Sequence, residues 1–147
     1  MVREGARSDR IAGYSGTPLA KKLGIKPGGT LFLVGAPDNY MALIAPLPDG
    51  VRIAPTLTRD VDVIHVFTTT RSRLTSGLPT YLDAMRTDAA IWVSWPKKVS
   101  KVATEVTEDV VREIALPLGL VDIKVCAVDE VWSGLKLVVR KENRRPG

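Results

Sequence analysis

Apolar residues along this chain come in short unbroken runs, and between them apolar positions recur at helical spacing. The first run, Leu31-Phe32-Leu33-Val34, follows the turn Lys26-Pro27-Gly28-Gly29. A run of strand length with no polar interruption marks a strand covered on both faces, so residues 30–34 are predicted as a buried strand. Residues 61–67 and 89–95 repeat the pattern, and residues 121–128 and 135–140 supply two more strands. Residues 51–54 predict only a short peripheral strand, because Pro55 has no N–H to give to a ladder.

The intervening segments read as helices. Thr17 before Pro18 predicts an N-cap with proline at the first helical position, Leu19, Ala20 and Leu23 form an apolar face, and Gly24 stops the helix. A short helix through Tyr40, Leu43 and Ile44 is expected after Asp38-Asn39, closed by Pro46, Pro48 and Asp49-Gly50. Residues 71–85 align Leu74, Leu78, Leu82 and Met85, with Gly77 and Pro79 expected to break the segment into two pieces. Thr107 caps a fourth segment. Its first turn carries Glu108 and Asp109, where the helix dipole favours anions, its buried face is Val110, Val111, Ile114 and Leu118, and Pro117 and Gly119 end it.

Strands alternating with helices predict an α/β fold of three layers, a mainly parallel sheet with helices on both faces. The last two strands are separated only by Asp129-Glu130-Val131-Trp132-Ser133-Gly134, too short for a crossover, so they are expected to close the domain as an antiparallel hairpin.

Composition narrows the class. The chain has 147 residues, 45% apolar and 25% charged, which suits one soluble globular domain. The 12 glycines and 10 prolines follow no period, which excludes collagen-like sequence, and no apolar run approaches the roughly 20 residues of a membrane-spanning helix. With one cysteine and one histidine, an internal disulfide and a structural zinc site are both excluded. Residues 1–12 are charged and aperiodic and are expected to be a loose arm, residues 13–140 one α/β domain, and residues 141–147 a basic flexible tail. No charged-then-apolar leader precedes Gly13, so the expected location is the cytoplasm.

The net charge of +5 is concentrated at the ends. Residues 1–10 contribute 3 − 2 = +1 and residues 140–147 contribute 4 − 1 = +3, which leaves +1 for the body. Without a basic face interleaved with aromatics, nucleic acid is expected to be touched only nonspecifically, through the tail.

A first helix, a strand, further β/α units and a terminal hairpin are similar to the Rossmann-like class I methyltransferase scaffold, trimmed by roughly a third from the usual domain length. That resemblance implies that residues 30–34 and 61–67 are central neighbours, that residues 89–95 come next, and that the strand near Leu135 inserts between 89–95 and 121–128. It also implies a glycine-rich S-adenosylmethionine loop after the first strand, but here the loop reads Gly35-Ala36-Pro37-Asp38-Asn39-Tyr40, with one glycine. The second strand, Val51-Arg52-Ile53-Ala54-Pro55, lacks the acidic residue that normally ends it. No cofactor is therefore expected. The sequence also resembles a largely actinobacterial family, domain-of-unknown-function family 3052. Its recognisable pieces are Tyr14-Ser15-Gly16-Thr17-Pro18-Leu19 with Lys22-Leu23-Gly24-Ile25, Trp95-Pro96-Lys97-Lys98, Leu116-Pro117-Leu118-Gly119-Leu120-Val121-Asp122, and Trp132-Ser133-Gly134-Leu135-Lys136. That resemblance implies a bacterial cytoplasmic setting and no particular reaction.

In open parallel sheets ligands bind just outside the carboxyl ends of the strands. The segments expected there contribute Asp38, Asn39, Thr69, Arg71, Trp95, Lys97, Lys98 and Trp132, a set of cations, hydroxyl, amide and indoles suited to a small anionic ligand or a protein partner. Arg71 opens a helix where the dipole disfavours a cation, which points to an anion between the helix end and the guanidinium.

Other residues carry less chemistry. His65 and Cys126 lie mid-strand and are expected in packed layers. Gly13-Tyr14-Ser15-Gly16-Thr17 and Gly28-Gly29 precede a strand, the wrong side for a phosphate loop, and adjacent Asp129 and Glu130 point to opposite faces. A non-catalytic binding module with a degenerate cofactor crevice is the expected function. The alternative is a small transferase for nucleotide-like or phosphorylated substrates using Arg71, Lys97 and Lys98.

Overall fold

The computed structural model describes residues 17–144. In chain order they form α1 (Leu19–Leu23), β1 (Thr30–Val34), α2 (Tyr40–Ile44), β2 (Arg52–Ile53), β3 (Val63–Phe67), α3 (Arg71–Ala84), β4 (Ala90–Pro96), α4 (Glu108–Ala115), β5 (Leu120–Ala127) and β6 (Trp132–Val139). The six strands make one sheet in the order β2-β1-β3-β4-β6-β5. β1 to β4 pair in parallel, whereas β6 is antiparallel to both β4 and β5. The α/β class and the parallel half are as the sequence predicts, and the insertion of the last strand between β4 and β5 is as the methyltransferase resemblance implies.

Two cores flank the sheet. On one face Leu74, Leu78, Val111 and Ala115 of α3 and α4 pack on Ile64, Val66, Ile91, Val93, Leu135 and Leu137. On the other, Ala20, Leu23, Tyr40 and Ile44 of α1 and α2 cover Leu31, Val63, Phe67 and Trp92. Trp92 is fully buried, and its indole N–H donates to the Leu23 carbonyl at 2.9 Å, which fixes the end of α1 on the sheet. A side chain of this size removes about 200 Å² from water, worth about 5 kcal/mol before entropy is counted.

β3 and β4 are buried along their whole length, as their apolar runs require. β1 is not. Its partner β2 covers only Thr30 and Leu31, so Phe32, Leu33 and Val34 are half-buried near the sheet edge. The other edge, β5, has a register shift between Asp122 and Lys124, and Ile123 and Val125 are exposed there.

Several local expectations are corrected. Pro18 sits outside α1 with ψ of 141°, and its carbonyl accepts from the N–H groups of Lys21 and Lys22. It caps the helix through its backbone rather than occupying the first turn. α3 is one helix of 14 residues and is not broken at Gly77 or Pro79. Leu74 and Leu78 anchor its inner side in the core, while the hydroxyls of Thr75, Ser76 and Thr80 donate to the carbonyls four residues back at 3.0, 2.9 and 3.2 Å on its outer side. Burial of the inner face outweighs the single backbone bond that proline removes. β6 starts at Trp132, three residues earlier than expected, because Asp129 accepts from the N–H groups of Val131 and Trp132 and turns the chain within four residues.

The chain continues past the expected boundary at residue 140 as an exposed turn. Lys141–Asn143 form a 3-10 turn, and the Arg144 guanidinium donates to the Val139 carbonyl at 3.0 Å. The predicted arm of residues 1–12, the Tyr14-Ser15-Gly16 segment and residues 145–147 lie outside the described residues. Among the described residues no helix is long and apolar enough to cross a membrane, and no group of three or more His, Cys, Asp or Glu side chains is placed to hold a metal. Thr107 caps α4 as expected, its hydroxyl accepting from Val110 N–H at 3.2 Å.

Candidate functional site

The carboxyl ends of β1, β3 and β4 meet in the place where an open α/β sheet forms its crevice. Gly35, directly after β1, has φ of +68°, and a Cβ there would lie 2.6 Å from the Phe67 carbonyl oxygen. The single glycine of this loop therefore serves close packing of the loop against β3, and Asp38 and Asn39 beyond it are exposed.

Next to the loop the space is filled by rings. Tyr40 Oη lies 2.9 Å from His65 Nδ1, and His65 Nε2 lies 2.7 Å from Ser94 Oγ. His65 stacks on Phe67 at 4.3 Å, and Phe67 meets the edge of Trp132 at 5.0 Å. A neutral imidazole has one N–H, so one hydroxyl donates to the ring and the other accepts from it. His65 is wholly buried, and loss of solvation holds its pKa down at about 3. Burial raises the Tyr40 phenol above its ordinary range. A serine, a histidine and a tyrosine in one chain of hydrogen bonds have the composition of a proton relay. With no exposed atom on the histidine, they act as a satisfied polar plug.

The predicted rim residues separate into three places. Arg71 is exposed at the start of α3, paired with Glu113 of α4, while its backbone N–H donates to Glu105 at 2.9 Å. Its pKa is raised first by the hydrogen bond to Glu113 and then by that carboxylate's charge. Where the sequence suggests one bound anion, two of the chain's own carboxylates, Glu105 and Glu113, take the backbone N–H and the guanidinium. Trp95 is buried in the core under α3 and α4, whereas Trp132, opposite Pro96 in the β4–β6 register, lies on the α1–α2 face. The two indoles are on opposite sides of the sheet, because adjacent positions on a strand alternate.

Thr69 is half-buried and its carbonyl accepts from Glu105 N–H at 2.8 Å, which ties the β3 end to the segment before α4. Lys97 N–H donates to the Val131 carbonyl at 2.7 Å, tying β4 to the hairpin, and Lys98 is exposed. Beside the ring plug a cavity of ≈ 460 Å³ is lined by Leu19, Lys22, Leu43 and Glu130, and Asn39 is the one predicted rim residue that borders it.

Solved structures share this fold. A SAM-dependent methyltransferase from Aquifex aeolicus matches with a TM-score of 0.56 and 16% identity over 82% of this chain and 88% of that one. A ribosomal protein L11 methylase from Lactobacillus delbrueckii subsp. bulgaricus matches with a TM-score of 0.50 and 13% identity over 82% and 74%. The chain has a methyltransferase-like Rossmann scaffold. A protein of the NADB-Rossmann superfamily from Streptococcus agalactiae matches that scaffold too, with a TM-score of 0.51 and 10% identity over 88% and 69%. No family model matches the chain, and no curated protein does.

Sequence reasoning missed Ser94 and Tyr40 as the partners of His65, since they lie 29 and 25 residues away with no local spacing to connect them. It also passed over Lys136, although Leu135-Lys136-Leu137 puts a lysine on the sheet face opposite the two leucines.

Proposed function

We propose that this protein is a non-catalytic binding module on a methyltransferase-like scaffold, and that it engages its partner through the loop after β4. The observation that carries this reading is the loop itself. Lys97, Lys98 and Lys101 have no ion pair among the described residues, and between them Val99 is 80% exposed. The loop has a defined shape: Ser100 Oγ donates to the Lys97 carbonyl at 2.6 Å and accepts from Val102 N–H at 3.2 Å, and Lys101 adopts φ of +61°. An ordered valine ringed by cations suits a protein partner with an acidic rim around an apolar spot.

A catalytic reading has no histidine that can reach solvent to act as a base, since the one histidine is in the plug. It also lacks a cofactor cradle, since Gly35 packs on Phe67 and Pro37 withholds a backbone donor. Of the predicted rim, Lys97 and Lys98 lie in this loop and Trp132 stands opposite Pro96 beside it, while Arg71 and Trp95 are engaged elsewhere. Membership of domain-of-unknown-function family 3052, and the bacterial cytoplasmic setting it implies, are part of the same proposal and rest on the sequence pieces quoted above.

Calorimetry with S-adenosylmethionine tests the non-catalytic half of the reading. No saturable heat is expected, and micromolar binding that is lost on Gly35→Val overturns it. A peptide alternating Glu and Leu tests the other half. Its binding is expected to weaken with salt and to disappear in Lys98→Glu/Val99→Asp, and equal binding by that variant removes the loop from the proposal.

A further inference from the structure

At the opposite end of the sheet, outside the amino ends of β1, β3 and β4, lies a cavity of ≈ 440 Å³ bordered by Gly24, Lys26, Gly29, Arg86, Asp88 and Lys136. On its β3–β4 side one guanidinium serves two carboxylates. The Arg86 guanidinium donates to Asp88 at 2.6 Å, to Asp62 at 2.8 Å and to the Arg59 carbonyl at 2.8 Å, and the second Asp62 oxygen accepts from Thr30 N–H at 2.9 Å. The α1–β6 side is unmatched. The ammonium groups of Lys26 and Lys136 have neither a carboxylate nor a hydrogen bond among the described residues.

The β5–β6 register aggravates this, because Lys124 stands directly opposite Lys136. Like charges facing each other across an antiparallel pair oppose the pairing. Lys124 turns away and donates to the Lys22 carbonyl at 3.3 Å. Lys136 has no such escape. Its register neighbour on β4 is the fully buried Trp92, and its Nζ lies 3.6 Å from where a Cβ on Gly24 would stand, so the ammonium is held in the recess. Its pKa is lowered, first by burial and then by Lys124 and Lys26. A partly desolvated cation beside two others is a cost to the fold that a bound anion relieves.

We propose that this recess binds a phosphate monoester, with the dianion between Lys26 and Lys136 and the organic part against the Pro27-Gly28-Gly29 turn. The two ammonium groups of the α1–β6 side match a dianion in number, whereas a carboxylate leaves one without a partner, and the excess negative charge of Asp62 and Asp88 over Arg86 keeps the anion on the lysine side. The site lies across the sheet from the loop after β4 and does not rest on the function proposed for that loop.

Inorganic phosphate is the probe, titrated at constant ionic strength into isotope-labelled protein and followed by backbone amide shifts. Saturable shifts are expected at Gly24, Gly29 and Lys136, with a Kd of about 1 mM or tighter. Binding is expected to weaken about ten-fold in Lys136→Met, to persist in Lys136→Arg and Lys141→Met, and to be about ten-fold weaker for acetate. Should Lys136→Met not fold, Lys26→Met gives the same readout. Shifts that stay linear, that spread evenly over the exposed lysines, or that survive Lys136→Met overturn the proposal. Equal affinity for acetate overturns the dianion.

Discussion

Acidification should weaken this protein through His65 by an amount that follows from its burial. The imidazole is held at a pKa of about 3 by loss of solvation, whereas an unfolded chain titrates near the ordinary value of about 6.5. Between those values the unfolded state takes up a proton that the folded state refuses. The stabilisation is therefore present above pH 6.5 and is lost as the pH falls toward 3. Integrating that difference from pH 7 to pH 5 gives about 2 kcal/mol, a large share of the 5–15 kcal/mol typical of a small domain.

Because the chain has one histidine, its imidazole Cε1–H resonance needs no assignment, and its position between pH 7 and pH 4 reads the folded-state pKa directly. It should stay at the neutral position until the protein unfolds. Urea unfolding at pH 7 and pH 5 gives the energy, and His65→Gln should flatten the difference by about 2 kcal/mol. A resonance that titrates near pH 6.5 in folded protein, or a pH dependence that His65→Gln leaves intact, refutes the argument. The resonance test stands even if the variant is too unstable to measure.

Three further outcomes check other parts of the structure. Gly35→Ala should cost more than Gly28→Ala by urea unfolding. Both residues have positive φ, but a Cβ at 35 meets the Phe67 carbonyl at 2.6 Å while one at 28 meets nothing within 4 Å, so about 1 kcal/mol is expected at 28 and clearly more at 35. Thr107→Ala removes the acceptor for Val110 N–H and should lower stability by about 1 kcal/mol, with Thr107→Ser largely restoring it. Cys126 is buried, with its thiol pKa raised first by burial. Its reaction with a disulfide reagent at neutral pH should be slow in folded protein and rise sharply across the urea transition, whereas fast labelling of native protein would place the thiol at the surface.

The strand runs were legible because each is a local pattern. Val63-Ile64-His65-Val66-Phe67 announces a two-faced strand whatever surrounds it, and the short link made the β5–β6 hairpin legible, while the place of β6 between β4 and β5 came from the resemblance to the methyltransferase scaffold. Pro79 misled because its local penalty is visible in the sequence while the burial of Leu74 and Leu78 that outweighs it is tertiary. The site was less legible for the same reason. Placing Arg71 and Trp95 past the ends of neighbouring strands was enough to suggest convergence. Glu113, 42 residues away, draws the arginine toward α4, and strand alternation sends Trp95 to the opposite face from Trp132. The lysines at the amino end went unread because Lys124 and Lys136 become neighbours only through a register that includes the β5 irregularity.

The insertion of β6 between β4 and β5 also dictates an order of assembly. β5 leaves the ribosome before β6, yet the one strand it pairs with is β6, so it has no hydrogen-bonding edge to join until β6 follows. The parallel half can gather as it is synthesised, but β5 has to wait, with Ile123 and Val125 in water, for the strand that follows it. Closing of the sheet is then a late, nonlocal event, and a nascent chain halted before Trp132 would carry an unpaired β4 edge, the state in which this protein is most exposed to association with the wrong partner.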